Sequence, residues 1–421
     1  MNKIKVAVVS PYPPSNITLT EYGYYLVRHF AQKDEIEEVV VLTNHLPDNA
    51  AYESEDSRIK LIPCWSFNSW KNPVDIVKAI RRERPDVVLF NLQFLLFGDA
   101  KVPAALGLMI PWMLKLLGYP TVTLLHNILE QVDLSSAGFT DNKVLQSIYR
   151  FIGNILTRMV LQSDVLGVTI EKYVEVLRAK YRRKNIALIP HGTFEIPPAP
   201  SFDVPDGPLK VMAFGKFGTY KKVEVVIEAV EIVRKWTDLD IEIVIAGTDS
   251  PNAAGYLDQV QARYRHVDQL TFTGYVPEED VARVFTESAV AVFPYTSTTG
   301  SSGVLHQAGS YGKAAVLPRL GDLERLIDSE GYCGAYFEPD DKDSLAEALK
   351  DVLTDNEYRE SLGRQNYHAA AGLDMEDIAD WYLIHFDRLI GKRGSTKRAT
   401  ALEPEQTINP EEQLVGQTVV V

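Results

Sequence analysis

Short runs of aliphatic and β-branched residues recur along the whole chain, and helical patterns separate them. Such runs are typical of parallel strands that helices cover on both faces. In the first half they are Val6–Ser10, Val39–Thr43, Lys60–Ile62, Val87–Leu92, Thr121–Leu125, Val165–Ile170 and Ala187–Ile189. In the second half they are Lys210–Phe214, Ile241–Ala246, Leu270–Thr273, Val290–Phe293, Ala315–Leu317 and Ala335–Phe337. The alternation of strand and helix predicts an α/β protein with doubly wound parallel sheets.

A proline cluster divides the two series of strands. Residues Ile196 to Pro208 read IPPAPSFDVPDGP and contain five prolines, which suit neither a helix interior nor a central strand. We therefore predict two Rossmann-like domains that face each other across a cleft, residues 1–196 and residues 197–376. Residues 377–390 form a further helical segment, and residues 391–421 have the composition of a mostly disordered tail.

Composition and charge narrow the class of protein. The chain has 421 residues, of which 46% are hydrophobic and 24% charged, and it is too long for one ordinary core. Its net charge of −14 argues against a general nucleic-acid binder, although local basic patches remain compatible with it. Cys64 and Cys333 are the only cysteines, which argues against a disulfide framework and a cysteine-based metal site.

Two apolar segments bear on localisation. The run that ends at Pro11 is too short for a signal peptide, and Pro111 and Lys115 interrupt Ala104–Leu117. That second segment also falls short of the roughly 20 residues that a spanning helix needs. We therefore expect a soluble, cytoplasmic protein.

A peripheral contact with the inner face of a membrane stays open at this stage. Leu106–Leu117 and Tyr149–Val160 are apolar enough for it, and the basic run RAKYRRKN at residues 178–185 could meet acidic headgroups. Two core helices and a solvated helix end would explain the same residues.

The loops after the second-domain strands carry the candidate chemistry, because ligands of parallel α/β sheets bind at the carboxyl ends of strands. In FGKFGTYKK, Gly215 ends a strand, and Lys216, Lys221 and Lys222 precede a helix. Ammonium groups beside a helix N-terminus favour phosphate, although a solvated charge run has the same composition.

A second loop, TTGSSGVLHQAGSYGK at residues 298–313, runs from glycine and serine into a helix. Ser302 is placed at the helix start, so the N–H groups of Gly303 and Val304 could meet a diphosphate from the side opposite the lysines. The stretch contains no carboxylate. The two loops together predict a binding site for a phosphate or diphosphate group.

The order of these loops resembles the donor domain of the retaining, GT-B-fold glycosyltransferases of family 4. The matching segments are GKFGTYKKVEVVIEA, VIAG, LTFTGYVPEEDVARVF, VAVFPY, TGSSGVLHQAGSYGKAAV, LGDLERLI and GAYFEPDDKDSLAEAL. In the first domain YPPSNITLTEYGYYLVRHFAQ, TVTLLHN and ALIPHGTFE are similar to the family's first loop, acceptor-side histidine and last turn. The resemblance spans residues 3 to about 390 and implies that residues 377–390 return to the first domain.

The resemblance also implies roles for particular residues. The catalytic group would be His126, Lys216 and Lys221. The donor would be bound by Gly215, Tyr275, Thr299, Ser302, Gly303, Val304 and Gln307, and the acceptor side would hold Asn16, Thr18 and His126. A UDP- or GDP-sugar would be the co-substrate, with no metal, since no DxD-like motif ends a strand, and with no further cofactor. The acceptor would be a hydroxyl of a sugar, a lipid-linked sugar or a small molecule.

The chain departs from the family's pattern at several positions, and these departures keep alternatives open. Lys216 stands where the family has an arginine, and Thr299 and Gln307 stand where it has two glutamates. The family's paired glycines of the first loop correspond to positions near Ile17 and Thr18. A catalytically silent protein that binds nucleotide or a partner subunit fits the loss of both acids. A sugar-nucleotide epimerase is a further alternative. A dinucleotide dehydrogenase is disfavoured, because no G-x-G-x-x-G follows the first strand.

Overall fold

Two parallel β-sheets, each flanked by helices, form the molecule. The computed structural model describes residues 3–47, 51–54, 56–128, 143–198, 200, 202–204, 206–297 and 302–401. The first sheet is built from β1 (Ile4–Val9), β2 (Ile36–Asn44), β3 (Ile59–Trp65), β4 (Val87–Leu92), β5 (Thr121–Leu125), β6 (Val165–Val168) and β7 (Ile186–Leu188). The second is built from β8 (Leu209–Phe217), β9 (Ile241–Asp249), β10 (Leu270–Gly274), β11 (Val290–Val292), β12 (Ala314–Pro318) and β13 (Ala335–Phe337).

Helices connect most of the successive strands, as is usual for parallel pairing. The described residues between β2 and β3, and between β7 and β8, contain no helix. In the first domain they are α1 (Thr20–Gln32), α2 (Asn72–Glu83), α3 (Lys101–Leu108), α4 (Ile110–Leu116), α5 (Lys143–Val160) and α6 (Glu171–Tyr181). In the second they are α7 (Glu224–Trp236), α8 (Tyr256–Arg263), α9 (Glu278–Thr286), α10 (Gly303–Ser310), α11 (Gly321–Glu330), α12 (Lys342–Thr354) and α13 (Asn356–Ala371), followed by α14 (Met375–Ala401). A short 3₁₀ turn spans Pro251–Ala253.

The strand orders are those of doubly wound sheets. They are β3-β2-β1-β4-β5-β6-β7 in the first domain and β10-β9-β8-β11-β12-β13 in the second. In each sheet the order reverses beside the first strand, β1 or β8, and a crevice opens there at the strands' carboxyl ends. The predicted fold class is confirmed.

The C-terminal helix leaves the second domain and packs on the first. Ile378, Tyr382 and Phe386 of α14 are fully or almost fully buried in one apolar cluster with residues of β1, β2 and α1. The Tyr382 hydroxyl lies 3.4 Å from that of Tyr22 on α1. The sequence analysis assigned residues 377–390 to this returning helix.

The helix continues beyond the predicted boundary at Ile390, so the expectation of disorder is wrong for residues 391–401. The composition of residues 391–421 suggested disorder, but the four lysines and arginines of residues 391–401 have high helix propensity, and no proline occurs before Pro404. The remainder of the predicted tail lies outside the described residues.

Within the part of the chain that the structure describes, no helix combines the length and apolar character that crossing a membrane needs.

Candidate active site

The loop between β8 and α7 places the ammonium group of Lys221 against the backbone of β8. Lys221 is 9% exposed, and a Cβ at Gly215 would lie 3.0 Å from its Nζ and 3.9 Å from Val304 Cγ2. Gly215 has a φ of +129°, in the region that favours glycine, and it lies within β8 rather than at its end. Lys221, Gly215 and Val304 therefore lie close together.

Aromatic rings and main-chain bonds hold Lys221 in this position. Its Nζ lies 4.6 Å from the centre of the Tyr295 ring, a cation–π contact. The loop is fixed by hydrogen bonds from Lys222 N–H to Pro294 O at 2.9 Å and from Thr296 N–H to Tyr220 O at 2.8 Å. Burial lowers the pKa of Lys221, and among the described residues no carboxylate lies within 4.0 Å of its Nζ. A buried cation without a counter-charge is suited to bind an anion.

Helix α10 begins beside this lysine. Ser302 is its N-cap but makes no side-chain capping bond, and its hydroxyl instead lies 3.1 Å from that of Tyr295. The N–H groups of Gly303 and Val304 have no acceptor among the described residues. A helix N-terminus with free N–H groups is an anion site, and here it adjoins the Lys221 ammonium.

Lys216 stands apart from this arrangement. Its side chain is exposed, and it is close enough to Glu21 of α1 to favour the charged form of that carboxyl. Burial and the nearby Glu278 carboxylate act oppositely and raise the pKa of Glu21. Lys216 is therefore on the cleft wall of the second domain, facing an acidic group of the first.

A hydrogen bond crosses the cleft close to these acids. The Tyr25 hydroxyl of α1 donates to Glu278 Oε1 of α9 at 3.1 Å. Burial raises the pKa of Glu278, and the Glu195 carboxylate adds to that effect. The two domains are thus already in contact at this edge.

Three histidines line the junction between the domains. His126, at the end of β5, donates from Nε2 to Asn91 Oδ1 at 2.7 Å, since the Asn91 amide is itself donating to Ser10 Oγ at 3.0 Å. Burial, with a contribution from His191, lowers the pKa of His126 well below its usual value, so the ring is neutral at pH 7. His126 thus lies on the first-domain side of this junction.

His191 and His306 stack across the domain boundary. Their ring centres are 5.2 Å apart with an interplanar angle of 24°. His191 donates from Nδ1 to Gly192 O at 2.9 Å, and its Cε1 lies 3.4 Å from where a Gly303 Cβ would be. Burial lowers the pKa of both imidazoles. Neither ring was among the predicted site residues.

Behind His306 lies a buried carboxyl group. His306 Nε2 is 3.4 Å from Glu330 Oε2, and its Nδ1 is 2.9 Å from the Tyr332 hydroxyl. Burial raises the pKa of Glu330 to about 8, and its Oε2 makes no hydrogen bond to the described residues. The pair is best described as a neutral acid beside a neutral imidazole.

A pocket between the domains opens beside α10. It contains about 350 Å³ of empty space, open solvent at its mouth included. Both walls contribute to the lining, which comprises Tyr25, His191, Gly192, Thr193, Phe194, Glu195, Glu278, Gly303, His306, Gln307, Ser310 and Tyr311. The Gln307 amide makes no hydrogen bond to the residues that the structure describes, so it is available to a ligand.

Other predicted residues are not gathered here. Tyr275 is 74% exposed and lines a different pocket, together with Lys210 and Glu242. Asn16 and Thr18 are exposed on the loop between β1 and α1. Thr299 lies outside the described residues.

Sequence reasoning missed the groups that meet only in three dimensions. His191 stands in the segment ALIPHGTFE, where the only signal was a histidine at a strand end, and Glu330 closes an ordinary amphipathic helix. Glu278 was noted only as one of the acids that open α9. The stacking of His191 on His306, from residues 115 positions apart, had no sequence signal.

Residues 208–355 match the family model described as glycosyl transferases group 1. A search of curated protein sequences finds no significant match.

Solved structures match almost the whole chain. It is similar to the sucrose-phosphate synthase from Thermosynechococcus elongatus, at 15% identity and a TM-score of 0.72, over 93% of this chain and 100% of that one. It is also similar to a glycosyltransferase from Rickettsia africae ESF-5, at 12% identity and a TM-score of 0.64, over 93% and 99%. HepE from Anabaena, solved in complex with UDP and glucose, matches at 13% identity and a TM-score of 0.62, over 91% and 100%. The chain therefore has the two-domain GT-B fold, and residues 208–355 of its second domain match the glycosyl transferases group 1 model.

Proposed function

We propose that this protein is a retaining, metal-independent glycosyltransferase that moves a sugar from a nucleotide diphosphate sugar to a hydroxyl group. The observation that carries the proposal is the buried Lys221 ammonium, which has no carboxylate partner among the described residues and adjoins the start of α10. The group 1 match of the second domain and the UDP and glucose complex of HepE support a nucleotide sugar as the donor, UDP- or GDP-linked.

The proposed chemistry uses the groups on both walls of the cleft. Lys221 and the Gly303 and Val304 N–H groups would stabilise the negative charge that builds on the departing diphosphate. Lys216 would reach the same diphosphate by a change of side-chain rotamer, which its exposure permits. The bond from the anomeric carbon to the diphosphate oxygen would break as the acceptor hydroxyl oxygen bonds to that carbon on the same face. A phosphate oxygen of the leaving group would take the hydroxyl proton, so the reaction needs neither a carboxylate nucleophile nor a carboxylate base.

The neutral His126 would serve the acceptor side as a hydrogen-bonding group rather than as a cation. Its Nε2 is committed to Asn91, which leaves Nδ1 as an acceptor for a sugar hydroxyl. Asn16 and Thr18 would complete that side from the loop after β1. The acceptor would be a sugar, a lipid-linked sugar or a small molecule, and we place the protein in the cytoplasm, peripheral at the inner face of the membrane.

Nucleotide binding by Lys221 variants tests the site. Loss of one buried contact with a phosphate should cost roughly 1.5–3 kcal/mol, so Lys221→Met should weaken nucleotide affinity about ten- to a hundredfold. Titration calorimetry with UDP, GDP and ADP and their sugars measures the change. Lys222→Met is the matched control, because Lys222 Nζ donates to Gly218 O at 3.3 Å and lies 5.2 Å from the Tyr256 ring. Equal losses of nucleotide affinity in the two variants, or no loss in Lys221→Met, would contradict the assignment.

Transfer itself needs a separate assay. The protein is incubated with each nucleotide sugar and a panel of acceptors, with and without a chelator, and the product's anomeric configuration is read by NMR. We expect the donor's configuration to persist and the chelator to have no effect.

The alternative function is a silent protein of this fold that binds nucleotide without turning it over. Gln307, an amide where the resembled family has a carboxylate, favours this alternative. Nucleotide binding without transfer, in the wild type and in a Thr299→Glu/Gln307→Glu variant alike, would establish it.

A further inference from the structure

Helix α5 of the first domain has two apolar faces, of which one is exposed. Leu156 and Val160 pack toward the core of the domain. Ile148, Phe151, Ile152 and Ile155 have exposed fractions of 46%, 64%, 43% and 37%. Their spacing of three, four and seven residues puts them on one side of the helix. We call these four residues the apolar face.

An exposed face of this kind is unusual for a helix that merely covers a sheet. A contiguous apolar patch on a monomer marks an interaction site, whereas single exposed apolar residues need no explanation. On the neighbouring helices, Val102 of α3 and Leu116 of α4 are 46% and 68% exposed. The sequence alone left open whether residues 149–160 form a core helix, and the structure shows an outward apolar side as well.

Basic residues border the apolar face. Residues 143–160 contain Lys143, Arg150 and Arg158 and no acid, in a chain whose net charge is −14. The end of α6 lies against α5 here, because the Tyr181 hydroxyl donates to Asn154 Oδ1 at 3.2 Å and the Arg158 guanidinium is 5.7 Å from the Tyr181 ring. That contact brings the exposed Arg182, Arg183 and Lys184 beside α5. We call Arg150, Arg158 and these three residues the basic border.

We propose that the apolar face and the basic border form a docking surface for an anionic lipid bilayer. A helix with an apolar side and a basic flank binds in the interface plane, where apolar side chains enter the acyl boundary and cations meet anionic headgroups. Charge complementarity favours an anionic bilayer over other partners, since the basic residues of α5 and those after α6 border the same apolar face. The docking rests on the peripheral placement proposed above but not on sugar transfer, so failure of vesicle binding and failure of transfer are distinguishable.

Vesicle sedimentation of the full chain tests the docking. The probes are vesicles of phosphatidylcholine alone and of phosphatidylcholine with about 30% phosphatidylglycerol, at about 0.1 M and about 0.5 M salt. We expect binding to the anionic vesicles that is at least about tenfold tighter than to the neutral ones and that weakens at the higher salt concentration. Phe151→Ser should weaken binding to anionic vesicles about tenfold, through lost insertion. Arg182→Gln/Arg183→Gln should do the same and should reduce the salt dependence.

Matched controls separate docking from folding and catalysis. Ile384→Ser removes a residue that is 63% exposed on α14, and Lys78→Gln/Arg81→Gln removes two exposed charges on α2, so both should bind vesicles as the wild type does. All variants should keep the wild-type circular dichroism and nucleotide affinity. Absence of binding to either vesicle overturns the proposal. Self-association that Phe151→Ser abolishes, without vesicle binding, also overturns it and identifies a second copy as the occupant.

Discussion

Gln307 is the residue that we expect to limit the nucleotide affinity of the proposed donor site. Its amide has one acceptor oxygen, whereas a ribose offers two hydroxyl donors. Gln307→Glu should therefore tighten nucleotide binding, by no more than about 1 kcal/mol because the new charge would lie near the diphosphate. Calorimetry with UDP and GDP measures the gain.

The control for this change is Gln259→Glu, which adds the same charge at an exposed position of α8. It should leave nucleotide affinity as it is. Weaker binding by Gln307→Glu than by the wild type would mean that this position does not meet the ribose.

Glu330 gives the protein a pH-dependent stability. Burial raises its pKa to about 8 from 4.5, so the folded state holds a proton that the unfolded state releases. The free energy of unfolding should therefore fall as pH rises from about 4.5 to about 8, with a slope of at most about 1.4 kcal/mol per pH unit. Urea denaturation across this range measures the slope.

Glu330→Gln keeps the shape of the side chain and removes the titration. As pH rises across the same range, the free energy of unfolding of this variant should increase steadily relative to that of the wild type. Parallel curves for the two proteins would show that Glu330 is ionised in the folded state and paired with a protonated His306.

Single residues of the site were partly predictable. Gly215, Lys221 and Val304 come together because strand ends and helix starts are legible in a sequence, and parallel sheets collect them at one edge. His191 and Glu330 were missed because their partners come from distant segments. Lys216 was expected at the diphosphate, but it stands exposed nearer to Glu21, since residues alternate in direction along β8.

At the scale of elements, the position of α10 depends on a glycine. A Cβ at Gly309 would lie 2.7 Å from the Tyr332 ring and 2.8 Å from the main-chain oxygen of Asn366 in α13. Gly309→Ala should therefore destabilise the protein by about 1–3 kcal/mol despite the better helix propensity of alanine. It should also weaken nucleotide binding, because α10 would have to move. Urea denaturation and calorimetry measure both effects.

Gly321→Ala is the matched control, because a Cβ there meets nothing within 4 Å at the start of α11. We expect it to be neutral or slightly stabilising. A stable Gly309→Ala protein would mean that the two helices tolerate a wider separation.

Strands were the elements that the sequence predicted best. The predicted bounds of β4, β5 and β13 match the structure, because unbroken aliphatic runs between polar loops leave little choice of register. Helices were harder, since exposure depends on neighbours. Residues 149–160 combine apolar residues with Arg150, Asn154 and Arg158, and only packing decides which apolar side of α5 is covered.

At the scale of the whole molecule, α14 is sequentially the last element but belongs to the core of the first domain. Phe386 is fully buried there. Phe386→Ala should therefore lower the free energy of unfolding of the first domain by about 3–5 kcal/mol. Ile384→Ala, two residues away and 63% exposed, should change it by less than about 1 kcal/mol. Chemical denaturation compares the two, and equal effects would contradict the assignment of α14 to this core.

The main chain crosses between the domains twice, and the two crossings are tied together. Thr193 N–H donates to Leu373 O at 2.7 Å, and Met375 N–H donates to Thr193 O at 3.1 Å. A protease that nicks the proline-rich linker after this tie would therefore cut only one of the two connections. The fragment that ends at the nick would contain all strands of the first sheet. The helix α14 that completes its core would belong to the other fragment. The halves of a nicked molecule should accordingly stay together through gel filtration, as a noncovalent complementation pair.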